Sequence, residues 1–297
     1  MKVLVTGSNG FIAQHIISSL LMEPDMFVIG SAKGLSRVDD NEPDRYLFQS
    51  LDITNKESVD EVLAAHVPDV VIHSAAKGQP DFCEEHKDVC DTVNVNGTVN
   101  ITDACKANDI YLLFISTDFV FNGEAGPYKE EDTCDPINYY GISKLKGEEY
   151  IKTSGVEYGI ARLCSVYGFP FSGTAKNVVT FVKENLEKNS AVKIVTDQVR
   201  TPTFVGDVAK AIVQMTKKKA KGIFHIAGDE TFTPYEIAIR TAEFLKLNKE
   251  MIIPVNRSTF QQPAQRPLIT GFINDKAKRE LNVIAKTLDE ALGMMFS

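Results

Sequence analysis

Tyr140 and Lys144 lie four residues apart in the stretch NYYGISKLKGEEYI, residues 138–151. On a helix, positions i and i+4 share a face, so this phenol and this amine meet while Tyr139 points elsewhere. A free phenol has a pKa of about 10, too high for easy proton exchange at neutral pH. A neighbouring ammonium stabilises the phenolate and lowers that value. An acid or base poised nearer pH 7 is the more effective catalyst. Upstream, the run FISTDFVF ends an apolar stretch with two hydroxyls, Ser116 and Thr117. One of them can hydrogen-bond a substrate carbonyl oxygen.

A second group of residues suits phosphate rather than proton transfer. In TGSNGFIA, Gly7 and Gly10 follow a β-branched run and precede a helical pattern, and Ala13 stands where a third glycine is common. Gly7 permits a tight turn, Gly10 lets backbone approach a pyrophosphate, and a small residue at 13 lets helix and strand pack closely. Gly7, Asn9, Gly10, Phe11 and Ile12 are therefore expected to face a dinucleotide, whose pyrophosphate sits on the helix N-terminus. An NAD site usually places an acidic residue after the second strand. Here VIGSAKGLSR has none before Asp39 and offers Ser31, Lys33 and Arg37 instead. Those groups suit a 2′-phosphate, so NADP(H) is expected, with NAD(H) the alternative. Asp52 and Ile53, after the third strand, should lie near the adenine. Ala75 and Ala76, after the fourth, leave room for the dinucleotide against the backbone.

The elements that must hold these residues are legible as a pattern. KVLVTG, MFVIG, RYLFQSLDI, DVVIHSAA and IYLLFIST read as strands, FIAQHIISSLLM and NKESVDEVLAAH as helices, and residues 81–107 as mostly helix. Either Thr54 or Asn55 caps the helix that follows it. YGIARLCSVYG and GIFHIAG add two further strands to the same sheet. Continuous apolar strands alternating with helices predict an α/β fold, a doubly wound parallel Rossmann sheet with its ligand beyond the carboxyl ends of the strands. Residues 1–168 and 203–233 are assigned to this dinucleotide-binding domain. Residues 169–202 and 234–297 are assigned to a smaller substrate-binding lobe built from discontinuous segments.

Composition narrows the partners. The chain has 297 residues, 24% charged, with a formal net charge of −8 and no basic run, which argues against nucleic acid and anionic membrane surfaces. Five scattered cysteines without a Cys-x-x-Cys pair read as reduced thiols. The opening MKVLVTGSNG is too short an apolar run for a signal peptide, and a cytoplasmic protein is expected. No spacing of His, Cys and carboxylates suggests a metal site. His73 reads as a packed residue and the KKKAK run as a solvated helix end.

Taken together, these motifs resemble the extended short-chain dehydrogenase/reductases. LVTGSNGFI, DITN, NVNGT, STDFVFNG, YKEED, YYGISKLKGEEY, ARLCSVYG, PTFVGDVAKAI and RPLITGFINDKAKREL occur in the family's order across nearly the whole chain. STDFVF, PTFVGDVA and the late Arg-Pro stretch are most similar to the dTDP-4-dehydrorhamnose reductase branch. The resemblance implies Thr117 as catalytic hydroxyl, Tyr140 as proton donor and Lys144 as the residue that tunes Tyr140 and holds the nicotinamide ribose. It implies an NADPH-dependent reductase of a nucleotide-linked 4-keto sugar. The alternatives are a nucleotide-sugar epimerase and a non-catalytic NADP-binding regulatory subunit of the same fold. The branch's usual tryptophan is Ser165 here, and the glycine of its Asp-Gln-x-Gly-x-Pro-Thr stretch is Arg200. An arginine at that place contacts a diphosphate in the sister epimerases. Arg200 and Arg266 are accordingly expected to bind the substrate's diphosphate, since guanidinium matches phosphate oxygens bidentately; Asn177, which also fits a plain helix cap, is a third candidate. Phe119 after Thr117-Asp118 replaces the glutamate of the related dehydratases. Many relatives form homodimers through helices.

Overall fold

A computed structural model describes residues 1–38, 44–171 and 176–296. The chain runs β1 (Lys2–Thr6), α1 (Phe11–Leu21), β2 (Phe27–Ala32), β3 (Tyr46–Ser50), α2 (Lys56–His66), β4 (Val70–His73), α3 (Pro80–Glu85), α4 (Lys87–Cys90), α5 (Gly97–Ala107) and β5 (Tyr111–Thr117). It continues through α6 (Tyr139–Ser154), β6 (Tyr158–Leu163), β7 (Val166–Tyr167), α7 (Val178–Glu187), β8 (Val192–Val195), β9 (Thr203–Phe204), α8 (Val205–Lys218) and β10 (Gly222–Ile226). Last come α9 (Pro234–Phe244), β11 (Ile252–Val255), α10 (Asp275–Leu281) and α11 (Leu288–Phe296). Seven strands form one parallel sheet in the order β3-β2-β1-β4-β5-β6-β10. The order reverses between β1 and β4, which opens a crevice beyond their carboxyl ends.

The continuous apolar strands follow from a sheet covered on both faces. Val3, Val5, Val70, Ile72, Leu113 and Ile115 point to the face under α1 and α8. Their neighbours Leu4, Val71, Leu112 and Phe114 point to the opposite face under α2, α5 and α6. Because side chains alternate, each strand must be apolar at every position to satisfy both layers. Asn55 is the cap of α2, accepting from Ser58 N at 2.9 Å. Thr54 instead donates to Asp52 at 2.7 Å.

The lobe is built from α7, β8, α9, β11 and α11, whose apolar faces meet in two clusters separate from the sheet layers. One segment departs from the anticipated division. Ala277 and Leu281 of α10 pack into the core beneath α8, so residues 275–281 belong to the sheet's layer rather than the lobe. Their apolar face points at β10 and α8, a pairing invisible from local sequence. Among the described residues, no helix is long and apolar enough to cross a membrane.

Candidate active site

At the carboxyl end of β1, Gly7 adopts φ 69°, a left-handed conformation that glycine tolerates without strain. A β-carbon there would lie 2.7 Å from the Cα of Ala75, so the turn and the loop after β4 touch only because residue 7 has no side chain. Gly10 precedes α1 with no side-chain cap, and the first turn holds no acidic residue. The helix N-terminus therefore offers unpaired N–H groups to an anion. This cradle fits a dinucleotide's pyrophosphate. Asn9 does not face the crevice alone: its amide donates to Leu35 O at 2.9 Å and accepts from Arg37 N at 2.8 Å, pinning the loop after β2 over the glycine turn.

The three residues expected at a 2′-phosphate differ in position. Lys33 is 82% exposed at its side chain and pairs with Asp52 at 2.6 Å. Arg37 is exposed on the pinned loop. Ser31 is buried, its hydroxyl without a partner inside the protein, and its carbonyl accepts from Ser8 N. Asp39 lies outside the described residues. Asp52 has a lowered pKa because Lys33 and then Thr54 hydrogen-bond its carboxylate. The Ile53 side chain packs in the core against Gly97, leaving its backbone as the part that can meet an adenine. Ala76 is exposed at the crevice beside Ala75.

Tyr140 and Thr117 converge from distant parts of the chain. Asn138 caps α6 by accepting from Gly141 N at 2.9 Å. Gly141 packs so closely on the Phe119 carbonyl that a side chain there would collide with it. This contact brings the first turn of α6 to the end of β5, where the Thr117 hydroxyl stands close enough to the Tyr140 phenol to lower its pKa. Tyr139 points away and donates to Asp91 at 2.6 Å. Burial raises the Tyr140 pKa and the Thr117 hydroxyl opposes the rise only in part. The phenol therefore keeps its proton at neutral pH. Ser116 takes no part: its hydroxyl donates to Glu148 at 2.6 Å, and Glu148 is paired with Arg162 at 2.7 Å.

Lys144 is 2% exposed, with its ammonium 3.9 Å from the centroid of the Phe114 ring. Burial lowers its pKa to about 7, opposed by the nearby Glu148 and Cys90. The chain alone does not show the expected downward pull of Lys144 on the phenol, because the amine rests on an aromatic face while burial dominates at Tyr140. Next to Lys144, Ser143 receives a bond from Asn94 Nδ2 at 2.9 Å. Asn94 lies in a π turn, Asp91–Asn96, and also clamps Lys77, accepting from its N–H at 2.7 Å and donating to its carbonyl at 3.1 Å. His73 is fully buried between Thr6 and Thr98, with its pKa pushed down to about 3 by burial, a packed residue as its sequence context suggested.

Three residues were given no role from the sequence: Asp118, Asn94 and Glu148. Only the NVNGT motif marked Asn94. Asp118 is 4% exposed; its Oδ1 accepts from Thr117 Oγ1 at 3.2 Å, and Thr270 and Cys164 donate to its Oδ2. Burial raises its pKa, opposed first by Arg200.

The expected diphosphate ligands occupy unlike settings. Arg200 is 5% exposed; it donates to the carbonyls of Val199 and Leu268 at 2.8 Å and of Pro267 at 2.6 Å, and its Nε lies 3.6 Å from Asp118. Its guanidinium thus faces the chain's own oxygens. Arg266 forms a two-pronged pair with Asp81 at 3.0 and 2.7 Å. It borders a cavity of about 210 Å³ in the lobe with Val178, Lys193, Gln198, Phe260 and Gln262. Asn177 caps α7 in a reciprocal capping box with Thr180 and donates to Gly168 O at 2.6 Å. Asn138 Nδ2 also holds Gln265 O at 2.9 Å, so the 265–268 segment is tied to the start of α6 and to Arg200.

The RmlD substrate-binding domain family matches residues 1–297. A probable low-salt glycan biosynthesis reductase of Haloferax volcanii is 31% identical over 301 residues, covering 99% of this chain and 97% of that protein. Methionine adenosyltransferase 2 subunit beta of Bos taurus is 29% identical over 272 residues, 90% of this chain and 78% of its own. A dTDP-4-dehydrorhamnose reductase of Clostridium acetobutylicum has a similar structure, with TM-score 0.85 and 28% identity over 99% of this chain and 98% of that one. The dTDP-4-dehydrorhamnose reductase of Bacillus anthracis, solved in complex with NADP, gives TM-score 0.84 and 26% identity over 99% and 98%.

Proposed function

The chain belongs to the RmlD substrate-binding domain family, and from that premise we propose that it is an NADPH-dependent reductase of a 4-keto sugar carried on a nucleoside diphosphate. The observation that supports this reading is the approach of Thr117 and Tyr140, with Lys144 one turn further along the same helix, at the carboxyl end of the sheet that also carries the Gly7 turn.

Gly7, Asn9, Gly10, Phe11 and Ile12 would hold the pyrophosphate, Lys33 and Arg37 the 2′-phosphate, and Asp52 and the Ile53 backbone the adenosine. Ala75 and Ala76 would border the dinucleotide, and Lys144 would hold the nicotinamide ribose. NADPH, when bound, supplies the hydride. Tyr140, whose pKa is raised, keeps its proton at neutral pH and delivers it to the developing sugar alkoxide. Thr117 orients that proton. Arg266 and the lobe cavity take the nucleotide end, while Arg200 fixes the 267–268 backbone beside them.

A non-catalytic NADP-binding subunit is the second reading, favoured by the likeness to methionine adenosyltransferase 2 subunit beta. NADPH oxidation, followed by absorbance with a panel of nucleotide-linked 4-keto sugars, separates the two. Turnover that Tyr140→Phe abolishes supports the reductase. NADPH binding without oxidation of any panel member selects the subunit.

A further inference from the structure

We propose that Phe114 is a positioning residue: its ring face is a cradle that keeps the Lys144 side chain in place and charged before any dinucleotide arrives. A buried ammonium ordinarily finds a carboxylate or several carbonyls. Among the described residues no hydrogen bond leaves Lys144 Nζ; what lies against it, at 3.9 Å, is the centroid of the Phe114 ring. A cation over an aromatic face is attracted by the ring quadrupole, most strongly where water is excluded. Here Phe114 is fully buried and Lys144 is 2% exposed.

The ring is itself held. Gly147, one turn beyond Lys144, leaves the space it fills: a β-carbon there would lie 3.2 Å from Phe114 Cζ. His73 flanks it at 5.6 Å between ring centroids. The charged and titratable groups around Lys144 are few. Tyr140 and Glu148 share its helix, Cys90 comes from α4 and His73 from β4. Arg162 from β6 is spent on Glu148, bonding both carboxylate oxygens. His73 is neutral, since its pKa is pushed down to about 3. Glu148 and, less, Cys90 support the cation by charge, and Arg162 partly cancels Glu148. The π face is the remaining attraction.

The role in cofactor handling rests on reading Lys144 as the cofactor's lysine; the cradle does not. The test therefore uses cofactor-free protein. Phe114 is replaced by ring-fluorinated phenylalanines, which keep the shape and weaken the quadrupole, and urea unfolding is followed from pH 5.5 to 9.5. The folded pKa of Lys144, about 7, lies below its ordinary 10.5. Lys144 is thus cationic in the fold only below about pH 7, and only there can the ring hold it. The native protein should exceed the fluorinated one in stability at pH 6, and the difference should shrink through pH 7 and vanish by pH 9. Full fluorination should move the folded pKa down by about one unit. In the Lys144→Met background the pH-dependent difference should be absent. A stability difference that is constant across the pH range, or none at any pH, overturns the cradle. A separate NADPH titration distinguishes the readings: lost cofactor binding in the native protein overturns the proposed function and leaves the unfolding result standing.

Discussion

The Thr117 hydroxyl donates to the carboxylate of its sequence neighbour Asp118 at 3.2 Å. The same hydroxyl accepts from Phe119 N at 3.3 Å and stands beside the Tyr140 phenol, whose pKa it lowers. Asp118 and the phenol oxygen thus share access to a single Thr117 proton. Asp118 in turn is held from its far oxygen by Arg200, Thr270 and Cys164.

Asp118→Asn tests that sharing. Donors crowd the far oxygen, so the new amide turns its oxygen to them and its N–H toward Thr117. The Thr117 proton is then released from Asp118, and the hydrogen bonding at the phenol changes. One misdirected hydrogen bond is worth about 1.4 kcal/mol, or about tenfold in kcat, with KM little changed. In a Thr117→Val background the same substitution should have no further effect. Equal losses in both backgrounds would mean that Asp118 acts only as a structural group.

Tyr140→Phe removes the proton itself. General acid catalysis contributes about 10²–10⁴-fold, and the loss of kcat should fall in that range. NADPH affinity, read by fluorescence titration, should be unchanged. Retention of more than about a tenth of the native rate would remove Tyr140 from the acid's role.

Cofactor affinity should depend on pH through Lys144. The amine is cationic below its folded pKa of about 7 and neutral above it. The cation favours an anionic dinucleotide, so NADPH binding should weaken as pH rises from 6 to 8.5 and level off above. Lys144→Met should bind weakly at every pH without that dependence. Native affinity that is flat over the same range contradicts the assignment.

Much of this arrangement was legible because it is local or periodic. The Gly7 turn, the Tyr140–Lys144 spacing and the two-faced apolar strands depend on residues near one another in sequence, and all seven sheet strands could be read from them. The choice between Ser116 and Thr117 could not be read. It depends on Glu148, which arrives from α6 and takes the Ser116 hydroxyl. Arg200 looked free because its acceptors, Pro267 and Leu268, lie more than sixty residues away. Ser31 fits a phosphate contact by type, and its hydroxyl is buried without a partner among the described residues, a burial its sequence context did not show. Contacts across such separations are set by packing, which residue type alone does not encode.

Lys33 and Arg37 should decide the choice of dinucleotide. The Lys33–Asp52 pair is mostly exposed and contributes about 0–1 kcal/mol to stability. Replacing both cations with alanine should therefore leave the fold intact. A charge-assisted bond to phosphate is worth about 1.5–3 kcal/mol, so NADPH affinity should fall by about tenfold or more while NADH affinity stays the same. Equal weakening of the two cofactors would place the cations outside the 2′-phosphate site.

The two arginines should separate by phenotype. Arg200 is enclosed, and Arg200→Met strands three carbonyls and the buried Asp118. Breaking a buried pair in this way costs about 3–5 kcal/mol, at the lower end here because Asp118, with its pKa already raised, can take a proton. Urea unfolding should show that loss. Arg266 lies at the cavity edge and its partner Asp81 is 38% exposed, so Arg266→Ala should cost about 1 kcal/mol of stability or less. Its effect should appear instead in calorimetric titration with a nucleoside diphosphate, as a loss of affinity of about tenfold or more. The reverse pattern, a stable Arg200→Met that no longer binds the nucleotide beside an Arg266→Ala that does, would return the diphosphate to Arg200.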